Sequence, residues 1–146
     1  MSGFLLDINV LIALTWPTHV HHAPSRQWFD RNSRSGWVTC PITQLGFVRV
    51  SSNSRIIRDA VSPREAITLL ARLTDLPGHR FWPDEFALSS TGAFASLALV
   101  GHRQVTDAYL LTLAQRRDAK LATLDRGIAD LIADPRQRAR WIETIE

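Results

Sequence analysis

Phe4-Leu5-Leu6-Asp7-Ile8-Asn9 is the stretch that decides the fold. Three successive apolar residues read as a short strand buried on both faces, because strands in parallel sheets carry continuous apolar runs where half-exposed strands alternate. Asp7 then stands at the C-terminal end of that strand, where open α/β sheets place their ligand crevice and where helices begin. Two readings of this position are open: an acid placed for chemistry, or a cap, Asp7 or Asn9, for the helix that follows.

Further strands and helices alternate outward from this start. A short apolar helix from Ile8 to Leu14 is barred from continuing by Pro17. Trp28 and Phe29 anchor a helical segment from Pro24 to about Asn32, and with Trp16 they read as core aromatics in preference to a partner surface. Trp37-Val38-Thr39-Cys40 is a second strand, stopped by Pro41. Thr43 is the expected N-cap of a helix carrying Gln44, Phe47 and Val48 at i, i+3 and i+4, which puts the Gln44 amide on the inward stripe. Ser62-Pro63-Arg64-Glu65 opens another helix with a capping box, its buried face being Ala66, Leu69, Leu70 and Leu73. His79 to Trp82 predicts a third strand, and Ser89 to Val100 a helix closed by Gly101. Thr106 is expected to cap a helix running to Gln115 with a stripe of Asp107, Leu110, Leu111 and Ala114. Lys120 to Leu124 is a fourth strand ended by Asp125, a short helix spans Ile128 to Ile132, and Trp141 to Ile145 is a last strand. Alternation of this kind implies α/β architecture with parallel pairing and right-handed crossovers, here as one domain over residues 1–146.

A chain of 146 residues buries roughly two thirds of its unfolded surface, enough for a core without staples. Cys40 is the single cysteine, so no intrachain disulfide forms, and nothing indicates an oxidising compartment. No run approaches the ~20 apolar residues of a membrane span and no basic segment precedes the apolar start, so a cytoplasmic protein without membrane attachment is expected. Seventeen Lys and Arg against 14 Asp and Glu give a net charge of +3, which permits a polyanionic partner without demanding one. Every basic residue except Lys120 is arginine, whose planar fork grips phosphate, although a GC-rich coding sequence produces the same bias.

Parallel pairing sends the C-terminal ends of successive strands to one edge, so Asp7 and Asp125 share it. The helix from Thr106 feeds the strand at Lys120 and runs antiparallel to it, which brings Asp107 to the same edge. Two such charges about 4 Å apart repel by roughly 4 kcal/mol at an effective dielectric of 20. Three converging carboxylates must therefore bind a cation, take up protons or stay spread out, and all-oxygen ligands favour Mg²⁺ or Mn²⁺ over zinc. Taken singly, Asp107 also suits the first turn of a helix and Asp125 an Asp-Arg-Gly turn. Asp118 lies eleven positions past Asp107, roughly 16 Å along the helix, and is out of reach. His19, His21 and His22, between Pro17 and Pro24 and without a second ligand cluster, read as a solvent-exposed loop and not as a metal site.

In combination, four stretches carry a family resemblance that covers nearly the whole chain: Leu5-Leu6-Asp7-Ile8-Asn9-Val10-Leu11, Cys40-Pro41-Ile42-Thr43-Gln44-Leu45-Gly46-Phe47-Val48-Arg49-Val50, His102-Arg103-Gln104-Val105-Thr106-Asp107-Ala108-Tyr109-Leu110-Leu111 and Leu121-Ala122-Thr123-Leu124-Asp125-Arg126-Gly127. The chain resembles the PIN domains, and specifically the VapC-type toxins of bacterial toxin–antitoxin pairs. The resemblance implies a three-layer α/β/α sandwich around a mainly parallel sheet of four to five strands. It also implies a Mg²⁺- or Mn²⁺-dependent endoribonuclease acting on RNA, a small cognate antitoxin and a homodimer. Asp7, Asp107 and Asp125 match the family's metal-holding acids, and Gln44 stands where the pattern generally has a glutamate. The Gln44 carbonyl can still hold a metal or a water, but with one charge fewer, so weaker metal binding with retained activity is expected. Arg49 and Arg103 are candidates for phosphate contacts near these acids, or else surface ion-pair residues.

Three other readings compete. Haloacid-dehalogenase-like phosphatases also open on a strand ending in Asp, but they need a second Asp two residues on, where this chain has Asn9. None of the seven glycines forms G-x-G-x-x-G, which argues against a dinucleotide site. An inactive PIN-like module that binds RNA or protein without cutting is the alternative that Gln44 keeps open.

Overall fold

A computed structural model describes residues 3–90, 92 and 94–146. Five short strands, β1 (Phe4–Leu6), β2 (Trp37–Thr39), β3 (His79–Phe81), β4 (Lys120–Thr123) and β5 (Ile142–Thr144), pair in parallel in the order β3-β2-β1-β4-β5. The order reverses between β1 and β4, so the crevice of the sheet opens at the ends of these two central strands. β1 is buried at all three positions, as its unbroken apolar run requires.

Alternate residues of β1 supply two cores. Leu5 joins Val38, Leu121 and Ile142 under α5 (Val105–Arg116), with Leu110, Leu111 and Leu113. Phe4 and Leu6 face the other way, into Trp28, Trp37, Phe47 and Leu70. That second layer is built by α1 (Ile8–Thr15), α2 (His22–Asn32), α3 (Pro41–Ser51) and α4 (Pro63–Thr74). The result is the expected three-layer α/β/α sandwich. Each large apolar side chain buried this way contributes roughly 1.5–3 kcal/mol. Trp28 and Phe29 are core residues, and the indole N–H of the half-buried Trp16 donates to Ser51 Oγ at 3.1 Å. No helix among the described residues is long and apolar enough to cross a membrane.

Several local expectations are corrected. Thr43 is not the cap of α3: the helix begins at Pro41, whose missing N–H costs nothing in the first turn, and Thr43 Oγ1 instead accepts from the Cys40 N–H at 3.0 Å. Thr106 is not a cap either, because a 3₁₀ turn over His102–Gln104 runs directly into α5 and leaves Thr106 one residue inside it. Ser89 to Val100 forms turns instead of a helix among its described residues; residues 91 and 93 of it lie outside them. Gly92, at φ +75°, breaks any helix there, and the stretch docks through Phe94, Leu97 and a bond from Ala98 N–H to Leu131 O. The Ile128 segment is a 3₁₀ helix, Arg126–Leu131. An unexpected helix, α6 (Pro135–Trp141), takes Trp141 out of the last strand, with Asp134 accepting from Arg136 N–H at its start.

Candidate active site

The register of β1 on β4 pairs Leu6 with Ala122, so the next residues, Asp7 and Thr123, leave the sheet side by side. Asp7 N–H donates to Ala122 O at 2.9 Å. The Asp7 carboxylate is 5% exposed; Oδ1 accepts from Ile8 N–H and Oδ2 from the Thr123 hydroxyl, each at 2.8 Å. Burial pushes its pKa up, and the charge on Asp125 adds to this, while the two hydrogen bonds oppose it.

Asp125 follows β4 by two residues. Its N–H donates to Thr123 Oγ1 at 3.0 Å, and its Oδ1 accepts from Gly127 N–H at 2.8 Å. Asp107, in the first turn of α5, is half-buried, and its pKa is pushed up to about 6, first by burial and then by the charges on Asp7 and Asp125. Acids from β1, α5 and β4 thus feel one another's charge at the switch point of the sheet. Asp7 also caps α1, and Asp125 caps the 3₁₀ turn that follows it, so the capping reading holds for both side chains. Among the described residues no Lys, Arg or His forms an ion pair with any of the three.

Thr123 is a site residue that the sequence did not single out. Its hydroxyl links the strand bearing Asp125 to Asp7, and the available signal was a polar residue in an otherwise apolar buried strand, two positions before an acid.

Gln44 is at the same sheet edge but is tied elsewhere. Its Nε2 donates at 3.1 Å to Oγ1 of Thr39, the last residue of β2, and that hydroxyl lies 2.7 Å from His79 Nε2. The described residues show no hydrogen bond from Gln44 to the three acids, and its Oε1 is left without a protein donor. Arg49 lines a cleft of about 200 Å³ with Ile8 and Thr106, the chain neighbours of Asp7 and Asp107. Arg103 is exposed on the turn before α5. Neither arginine is in an ion pair among the described residues.

The histidines are not simply a solvent-exposed loop. His22 opens α2 with its Nδ1 2.7 Å from Ala13 O, while His19 and His21 line a cavity of about 260 Å³ with Asn9, Leu124 and Asp125.

The donor set fits a hard divalent cation in its chemistry: carboxylate oxygens, one of the acids buried, and no ion pair to any of them among the described residues. Among the described residues, however, no three His, Cys, Asp or Glu side chains stand together as a group that could hold a metal ion as they are placed.

The model of the PIN domain family matches residues 4–133. Ribonuclease VapC39 of Mycobacterium tuberculosis is 48% identical over 126 residues, 86% of this chain and 91% of that protein. Ribonuclease VapC38 of the same organism is 46% identical over 127 residues, 87% and 88% of the two chains. The solved structure of VapBC2 from Rickettsia felis, bound to a DNA fragment from its promoter, superposes with a TM-score of 0.64 at 11% identity, covering 98% of each chain, and so shares the fold. With the family model spanning most of its length and relatives of this similarity, the chain belongs to the PIN domain family, in its VapC-type branch.

Proposed function

We propose that this chain is a divalent-metal-dependent endoribonuclease, the toxin of a VapC-type pair, which cleaves RNA phosphodiester bonds in the cytoplasm and is neutralised by a cognate antitoxin. A homodimer is part of the same proposal. The observation that carries it is the approach of Asp7, Asp107 and Asp125 at the switch point, with no ion pair to any of them among the described residues; burial first, and then the charges of the other two, raise the Asp107 pKa to about 6. Two VapC relatives named as ribonucleases, at 48% and 46% identity, support the activity, and the VapBC neighbour supports a protein partner.

Mg²⁺ or Mn²⁺ held there would supply Lewis-acid stabilisation of the phosphoryl oxygens and lower the pKa of an attacking water. Asp7 is the rigid member, its oxygens oriented by Ile8 N–H and Thr123. Asp107 is ionised above its pKa of about 6, a value raised first by burial and then by the charges of the other two. Asp125 completes the set from its turn, and Gln44 offers a neutral carbonyl oxygen from the first turn of α3. Arg49 and Arg103 contact phosphates on either flank.

Cleavage of a single-stranded RNA by rigorously purified protein over a Mg²⁺ and Mn²⁺ series tests this. Asp107→Ala is expected to abolish divalent-dependent cleavage, and unchanged cleavage by that variant would remove the assignment. The second reading, a PIN-like module that binds without cutting, is favoured by one observation: the Gln44 amide is committed to Thr39 in place of an acid at the site.

A further inference from the structure

His19 stands where two cavities meet. The smaller, about 260 Å³, holds Asp125, Asn9 and His21; the larger, about 450 Å³, shares His19 and Asn9 with it and continues past Trp16 and Thr18 to Arg58. A strand lying across the acid cluster and onward into the larger cavity therefore passes this imidazole.

The tautomer of that imidazole follows from one bond. His21 N–H donates to His19 Nδ1 at 3.0 Å, so in the neutral ring Nδ1 is an acceptor and the proton resides on Nε2. In this form Nε2 is a donor and has no lone pair for a metal. The loop that sets the ring is held at its far end by His22, whose Nδ1 lies 2.7 Å from Ala13 O, and the His19 and His21 rings stand 5.7 Å apart. Burial lowers the His19 pKa, and His21 and His22 nearby add to the shift, which favours the neutral ring.

We propose that His19 is a substrate-contacting residue of this site, donating Nε2–H to a phosphate oxygen of the RNA strand beside the acid cluster. The assignment rests on the nuclease reading. His21 holds the ring from behind through its backbone, and its side chain is not required.

The test is steady-state cleavage of a short mixed-sequence single-stranded RNA with Mn²⁺, comparing KM and kcat at several salt concentrations. His19→Ala is expected to raise KM about tenfold, in line with the loss of one hydrogen bond, with kcat little changed. His19→Leu, which keeps bulk and lacks the donor, is expected to behave alike, so a folding defect specific to the alanine variant does not obscure the result. His19→Gln, which returns an N–H close to Nε2, is expected to recover most of the native KM. The salt dependence of KM stays at its native slope, because a neutral donor releases no counterion. A native KM in both His19→Ala and His19→Leu, or a His19→Gln no better than they are, overturns the assignment while the nuclease reading stands. Absence of cleavage by the native protein overturns both.

Discussion

The Thr123 hydroxyl donates to Asp7 Oδ2 at 2.8 Å across 116 positions of sequence, and Thr123 Oγ1 in turn accepts the Asp125 N–H at 3.0 Å. One side chain thus sets the spacing between the acid after β1 and the acid after β4.

Thr123→Val keeps the shape of the strand and removes the donor. A buried carboxylate oxygen left without its partner costs about 1–3 kcal/mol, so the urea midpoint is expected to fall accordingly at neutral pH, with Thr123→Ser closer to native. A midpoint for Thr123→Val equal to native would mean that the bond does not hold Asp7.

Gly46 lets α3 close on α1: a Cβ there would lie 2.3 Å from Ile8 Cδ1. Gly46→Ala is expected to destabilise the protein by about 1–3 kcal/mol through overpacking, and to shift Ile8, the residue after Asp7. Adding Ile8→Ala should return part of that loss, because the methyl then has room. Additive losses in the double-mutant cycle would show that the two side chains do not meet.

The raised pKa of Asp107 links stability to pH. Its folded value, about 6, exceeds the ordinary carboxylate value of 3.8, so between these values the folded state holds a proton that the unfolded chain releases. Without divalent ions this group makes the protein less stable as pH rises from about 4 to about 6, and Asp7, shifted the same way by burial, adds to the trend. Thermal melts in EDTA of native protein and Asp107→Asn should differ by that slope, the variant being flatter. Parallel profiles would remove the coupling.

Gln44→Glu restores a charge where the family pattern carries one, but gives up the Nε2 donor to Thr39. The expected outcome is half-saturation of RNA cleavage at roughly tenfold lower Mn²⁺, since ligand charge count tunes affinity for hard cations. Silence of both proteins throughout a Mg²⁺ and Mn²⁺ series would instead favour the non-cutting module.

Burial governs which of these features were legible in the sequence. β1, β2 and β4 are apolar runs with every or nearly every position buried, and their ends announce Asp7 and Asp125. Asp107 was visible because an acid heading an apolar stripe is rare. The Ser89–Val100 stretch misleads because its alanines and leucines favour a helix locally, while Gly92 and the serines oppose one. α6 was overlooked because Pro135 to Trp141 is almost wholly polar, although Asp134-Pro135 is a start signal. The sequence placed His19 in a loop but not beside Asp125, since that neighbourhood depends on the loop folding back and no local pattern encodes the return.

Anomalous scattering from Mn²⁺ in crystals of the native protein at neutral pH tests the central claim most directly. The account predicts a peak bounded by the carboxylates of Asp7, Asp107 and Asp125, and its loss in Asp107→Ala. Density for manganese elsewhere, with these three side chains directed apart around an empty centre, would contradict it.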